Sequence, residues 1–202
     1  NVLTTHECDW AAALQTSRTG GRSIDTLSTG LGCGLGLKTQ AHLEMGQARL
    51  PNSGTAKFLR AQGKTELLAR TASAPGLALV YVVAGAQNPG ASFKYSGSGL
   101  LLSLTQPLGG DWLAHANLGA SRTQAAPSDT STTVWAWALE RPVGYGIDLS
   151  AEILGDDRSS AHPVAVGARW AATPTLSLNA ALMTAQGTSR VNTATLGLKL
   201  KF

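Results

Sequence analysis

Residues 190–202 read Arg-Val-Asn-Thr-Ala-Thr-Leu-Gly-Leu-Lys-Leu-Lys-Phe, and from Leu196 onward every second side chain is large and apolar: Leu196, Leu198, Leu200 and Phe202. Gly197, Lys199 and Lys201 stand between them. A period of two separates the faces of a β-strand, because successive Cβ atoms point to opposite sides. Such a strand fits the edge of a soluble sandwich, or the wall of a barrel that turns its apolar face to lipid. The rest of the chain decides between the two.

A length of 202 residues suits one domain, taken here as residues 1–202. The mean hydropathy of +0.02 is too low for a helical membrane protein. The longest apolar run, Gly76 to Ala86, falls short of the roughly 18 to 20 residues of a spanning helix. Charged residues make up only 14% of the chain and there are 23 glycines, a pairing that suits alternating membrane strands better than a soluble domain. The net charge of +4 is spread without a Lys/Arg cluster or an aromatic-interleaved basic patch, so no nucleic-acid partner is expected. Asn1 opens without a charged and then apolar leader, so the expectation is an exported chain whose signal peptide has been removed.

Alternation and turn residues mark twelve candidate strands: Glu7 to Thr16, Ser23 to Leu35, Thr39 to Arg49, Thr55 to Leu68, Gly76 to Gly85, Tyr95 to Leu104, Trp112 to Thr123, Ser131 to Glu140, Tyr145 to Leu154, His162 to Trp170, Leu176 to Gln186 and Arg190 to Phe202. Most are about 10 to 13 residues long, near the length of a tilted membrane strand. The even-numbered connections read as tight turns, around Lys38, Ala74-Pro75-Gly76, Pro107 to Asp111, Arg141 to Gly144 and Thr173-Pro174-Thr175. Several odd-numbered ones are longer and more polar, the asymmetry of barrels with short periplasmic turns and longer outer loops. Trp10, Trp112, Tyr145, Trp170 and Phe202 fall near the periplasmic strand ends, and Phe58, Phe93 and Tyr95 near the outer ends, so the aromatics form two girdles. These tests select an all-β, closed antiparallel transmembrane barrel of about twelve strands in the outer membrane, with outer-membrane lipid as its surroundings.

Parity then separates the faces. Trp10, Ala12 and Leu14, Leu27, Leu31 and Leu35, Leu100, Leu102 and Leu104, and Trp135, Trp137 and Leu139 would face lipid, as would Leu176, Leu178, Ala180 and Leu182. The candidate lumen-lining residues are His42, Glu44, Arg60, Gln62, Lys64, Glu66, His115, Asn117, Glu140, Asp148, Glu152, Arg169 and Lys199. In a narrow lumen such charges either pair and pack or line a small water-filled path. Mixed signs argue against strong charge selection and for small neutral or weakly charged solutes.

Two cysteines in an exported chain suggest a disulfide. If Gly20-Gly21 is a two-residue hairpin turn, partners on the first two strands have numbers summing to 41, which sets Cys8 opposite Cys33. The same register sets Trp10 beside Leu31 and Leu14 beside Leu27, keeping the apolar face continuous. Two free, small apolar cysteines are the alternative. No His/Cys spacing fits a structural zinc site, and no metal or other cofactor is expected.

For catalysis, a His and Ser set on the lipid face would be the pattern of lipid-modifying barrels. Here His115 and Asn117 share the lumen face, and no serine stands two residues after His42 or His115. Nor does the chain hold a Gly-x-Ser-x-Gly elbow, a His-Glu-x-x-His pair or a phosphate loop, so no enzyme is expected. His6, Glu7 and Asp9 read as solvated terminal residues. Gly30-Leu31-Gly32-Cys33-Gly34 lies on a strand, where its glycines would relieve crowding inside the barrel.

The closing alternation with a terminal aromatic resembles the last strand of bacterial outer-membrane barrels, where it is the signal read by the barrel assembly machinery. The whole chain also resembles the bacterial family of transporter-like outer-membrane proteins named for meta-pathway phenol degradation. The resemblance rests on Val2-Leu3-Thr4-Thr5 before the first strand, Gly30 to Leu37 leading into Ala41-His42-Leu43-Glu44, Ala61-Gln62-Gly63-Lys64-Thr65 and His115-Ala116-Asn117-Leu118-Gly119. It continues through Ala138-Leu139-Glu140, Ala151-Glu152, Gly167-Ala168-Arg169-Trp170 and Gly197 to Phe202. The Asp pair common after the family's opening threonines is replaced by Thr5-His6-Glu7. The resemblance implies an outer-membrane barrel that passes aromatic compounds. The expected function is a narrow channel for small solutes, aromatic ones among them. One alternative is a structural or partner-binding barrel with a filled lumen and a protein partner in the membrane; another is a lipid-modifying enzyme.

Overall fold

The computed structural model describes residues 2–124, 128–187 and 190–202. Twelve strands run in order: β1 (Cys8–Thr19), β2 (Arg22–Gly36), β3 (Thr39–Leu50), β4 (Gly54–Leu68), β5 (Gly76–Gln87), β6 (Lys94–Gly109), β7 (Trp112–Thr123), β8 (Thr130–Gly144), β9 (Ile147–Asp156), β10 (Val164–Ala171), β11 (Leu176–Ala185) and β12 (Val191–Lys201). Each pairs antiparallel with its sequence neighbours, and β1 pairs with β12 to close the barrel. Closure satisfies every strand edge with a partner, the condition for a sheet to sit in lipid. At the seam, Leu14 faces Leu196, Trp10 faces Leu200 and Asp9 faces Lys201. Cys8 and Phe202 exchange both backbone hydrogen bonds at 2.9 Å, so the strand quoted first also seals the ring.

Register follows from the turns. Gly20 and Gly21, both with positive φ, make the two-residue hairpin that aligns Cys8 with Cys33, and the two sulfurs form a disulfide. Tyr145 and Gly146, at φ 53° and 71°, make another such turn between β8 and β9. Tyr145 was expected to begin a strand as a girdle residue; it instead occupies this turn, with 97% of its surface exposed. The segments before β1 and after β12 and the connections after β2, β6, β8 and β10 share one end of the barrel, the turn end. The β4–β5 connection at this end spans residues 69–75, the interval left by the expected strand bounds. It is organised by Thr71, whose Oγ1 accepts from Ala74 N–H at 2.9 Å while its own N–H donates to Ala74 O at 3.2 Å. β10 begins at Val164 rather than at His162.

Large apolar side chains have no common interior. Among the described residues the buried hydrophobics are only Ala78 and Ala136, and no large side chain is fully buried. Leu118, Trp137, Leu182 and Leu196 are about 60% exposed on the outer face. In water each large side chain left out would forgo about 1.5–3 kcal/mol, and the belt far exceeds the patches soluble monomers tolerate. In hydrocarbon the belt carries no such cost. No helix among the described residues is long and apolar enough to cross a membrane, a finding that says nothing against a barrel.

Candidate functional site: the lumen and its turn-end mouth

One parity of every strand faces the lumen. It places His42 and Glu44 on β3, Arg60, Gln62, Lys64 and Glu66 on β4, and His115 and Asn117 on β7. Glu140 on β8, Asp148 and Glu152 on β9, Arg169 on β10 and Lys199 on β12 share this inward parity. Trp10, Trp112, Trp170 and Phe202 carry the outward parity near the turn end, where the Arg141 guanidinium lies 5.3 Å from the Trp112 ring centroid. Phe58, expected in the outer girdle, points inward: it shares parity with Arg60, and its ring covers Gly46. The missing side chain at Gly46 is what admits it.

The charges form a network rather than a scatter. Arg169 bonds Asp148 through Nε at 3.0 Å and Nη2 at 2.5 Å, and its Nη2 lies 3.6 Å from Glu140. His115 stands between Glu140, 3.5 Å from Nε2, and the Thr105 hydroxyl, 3.0 Å from Nδ1. Arg60 meets Glu44 at 3.2 Å across β3–β4, and Lys38 meets Glu66 at 3.7 Å at the rim. Lys199 binds Asp9 at 2.6 Å. Asp9 was read as a solvated terminal residue; it is 3% exposed, turned inward with Ala11 and Ala13. Its strand parity and the pairing of β1 with β12 were the signals that could have placed it. Glu152 lies between Ala138 and Ala165 and takes part in none of the described ion pairs.

The glycines of β2 make the polar wall possible. A Cβ on Gly30 would lie 2.5 Å from the His42 ring, and one on Gly32 would lie 2.8 Å from an Asp9 oxygen. A Cβ on Gly34 would overlap the Thr4 carbonyl. The segment before β1 fills that last space. His6, at φ 72°, turns the chain back, and Thr5 bridges to Gly34. Leu3 N–H donates to Gln40 Oε1 at 2.8 Å, and Thr4 N–H donates to Glu7 Oε2 at 2.9 Å. Hydrogen bonding from Thr4 holds the Glu7 carboxyl below its usual range. Val2 and Leu3 thereby enter the mouth; the sequence marked them only as part of a resemblance motif before the first strand, and Gln40 not at all.

The other wall is apolar. On β5 the inward residues are Ala78, Val80, Val82 and Ala84, facing Ser103, Leu101, Gly99 and Gly97 of β6. Val134 and Ala136 of β8 continue the stripe across Gly119 and Asn117 of β7. The stripe and the ion-pair network meet at the turn end around a cavity of about 590 Å³ lined by, among others, Leu3, Asp9, Gln40, Lys64, Arg70, Ala78, Leu113, His115, Glu140, Arg169, Lys199 and Lys201. A second space of about 220 Å³ lies further along, between Gln15, Thr26, Ser28, Glu44, Phe58 and Arg60. The arrangement offers hydrogen-bonding and charged groups on one side and a greasy surface on the other, with no metal-binding cluster among the described residues.

No family model matches the sequence, and no curated relative matches it. Solved structures do. The COG4313 outer membrane channel from Pseudomonas putida F1 superposes at a TM-score of 0.69 and 12% identity, over 100% of this chain and 97% of that one. The NanC porin matches at 0.67 and 10% identity, over 95% of this chain and 100% of that one. The CymD monoaromatic hydrocarbon channel matches at 0.56 and 7% identity, over 99% and 88%. At such identities the likeness is one of fold: the chain is a closed twelve-stranded antiparallel barrel whose structural neighbours include outer-membrane channels, porins and autotransporter translocator domains.

Proposed function

We propose that the chain is an outer-membrane channel for small solutes, with its turn end in the periplasm. The observation that carries this is the lumen itself, polar on one wall and apolar on the other, inside a barrel with a largely apolar outer belt. A structural barrel would gain nothing from two such walls. A passing solute gains a hydrogen-bonding side and a desolvating side at once. The sequence resemblance to transporter-like proteins named for phenol degradation, and the fold shared with a monoaromatic hydrocarbon channel, support aromatic compounds among the solutes. The inward facing of His115 and Asn117 gives a lipid-modifying enzyme no set on the lipid face from these residues.

Swelling of proteoliposomes tests the reading. Phenyl glucoside should enter faster than xylobiose, a pentose disaccharide of similar mass, since only the former has an apolar face for the Val80–Val82–Leu101 stripe. Equal rates would remove the stripe from the mechanism, and no swelling with either solute or with a monosaccharide would remove the channel. A second reading, a filled barrel that serves as a partner's scaffold, is favoured by the N-terminal segment's entry into the mouth. Copurification with a companion at fixed stoichiometry, together with an absence of swelling, would establish that reading instead.

A further inference from the structure

We propose that the turn-end cavity is a binding site for a small organic anion with an apolar body, its carboxylate held by Lys64, Arg70 and Lys201. The inference rests on the channel reading and names the solute class that reading leaves open. Taken as an inventory, the lumen charges looked balanced; the ion pairs make them unequal. The cavity is lined by five cationic side chains against three anionic ones. Each of the three carboxylates is engaged: Asp9 by Lys199, Glu66 by Lys38 and Glu140 by Arg169. Lys64, Arg70 and Lys201 take part in none of the described ion pairs. Asp9 stands directly opposite Lys201 in the seam, yet its carboxylate reaches Lys199 at 2.6 Å.

The three cations arrive from separate elements. Lys64 lies on the inward face of β4 and Lys201 at the inward end of β12, while Arg70 comes from the connection after β4. That connection is seated by Gly76, where a Cβ would come within 2.7 Å of the Arg70 Cβ. Arg70 and Lys201 are exposed and Lys64 is half-buried, with the Glu7 carboxylate acting on Lys201 at longer range; cations lining one mouth without an ion-pair partner still repel one another, and an anion relieves that repulsion. Leu3, Ala78 and Leu113 give the remaining wall an apolar patch, beside the hydroxyls of Ser103, Thr105 and Thr175. A cavity of about 590 Å³ has the size of a small-molecule site, and its mixture of cations and hydroxyls with an apolar patch suits an aromatic carboxylate better than an inorganic ion.

Equilibrium dialysis of detergent-solubilised protein with labelled benzoate tests the site directly, and bilayer currents test its effect on passage. Benzoate should bind and should block chloride current, whereas benzamide, its neutral analogue, should do neither at the same concentration. The purified channel should prefer chloride over potassium by about two- to fivefold, and K64Q/R70Q/K201Q should bring that ratio to one or below. The same triple change should weaken benzoate binding at least about tenfold. R70E, which lies outside every strand, should weaken binding by itself and keeps the test valid if the triple variant does not fold. Benzoate binding without conductance would overturn the channel and leave the site standing. Conductance with equal effects of benzoate and benzamide, or unchanged in R70E and the triple variant, would overturn the site and leave the channel standing.

Discussion

The two walls of the lumen are built from the same backbone pattern and carry opposite chemistry. From β9 through β12 to β4 the inward side chains include Asp148, Glu152, Arg169, Lys199, Asp9, His42, Glu44, Arg60 and Lys64 among smaller residues such as Ala165 and Ala181; from β5 to β8 they are mostly Ala, Val, Leu and Gly, up to Asn117 and the His115–Glu140 pair near the mouth. The outer face is largely apolar all the way round, so the polar wall shows a clean alternation and the apolar wall does not. Inward parity therefore does not dictate polarity. What it dictates is which side chains line the lumen, and in the channel we propose this lining divides contact with a solute between hydrogen bonding and desolvation.

Adjacent residues on the apolar wall give the sharpest way to break the comparison. Leu100 faces outward in mid β6 and Leu101 faces inward. Leu100→Arg should cost about 2–4 kcal/mol of stability in lipid vesicles, read by denaturant titration of tryptophan fluorescence. Leu101→Arg should cost far less and should instead slow phenyl glucoside entry. Equal stability losses would mean that the β5–β8 wall is not open to water. The polar wall makes the next prediction. Asp9 is nearly inaccessible and Lys199 is its ion-pair partner, so Asp9→Ala leaves a cation without its counter-charge. We expect a loss of about 2 kcal/mol, below the figure for a fully buried pair because Lys199 remains 43% exposed, with partial recovery in the D9A/K199A double variant.

The smallest effect concerns the segment that narrows the polar side of the mouth. The Glu7 carboxylate holds Thr4, and its folded pKa lies below the unfolded one. Its contribution is therefore present above the ordinary carboxylate pKa and is lost as pH falls through the lower folded value. Single-channel current should become noisier or larger below about pH 4 and should do so at all pH values in Glu7→Gln. A pH-independent current in the wild type together with an unaltered Glu7→Gln would place the segment outside the conducting path.

The same asymmetry explains what could be read in the chain beforehand. Strands with one polar face declare both their type and their orientation, so twelve strands, the seam and the Cys8–Cys33 pairing were legible from alternation and the Gly20-Gly21 turn. The run Gly76 to Ala86 is apolar on both faces, and only its register against Arg60, Gln62 and Lys64 of β4 shows which residues line the lumen. Phe58 was misplaced because an aromatic near a strand end is an interface residue in most barrels, whereas Gly46 here opens an inward seat for it. Asp9 and Arg70 were missed for a related reason: each reads as a terminal or loop charge until ring closure and the β4–β5 connection carry it into the mouth. The unequal charge of the cavity was likewise hidden, because it depends on which carboxylates are already paired.

Single-channel conductance of the wild-type protein and Leu101→Trp, measured side by side in planar bilayers, tests the central claim most directly. A water-filled path bounded by the two walls predicts discrete, stable current steps in the wild type and steps at least about twofold smaller in the variant, whose indole would narrow the path from its apolar side. A wild-type barrel that inserts and carries no current, or a Leu101→Trp variant with unchanged steps, would contradict it.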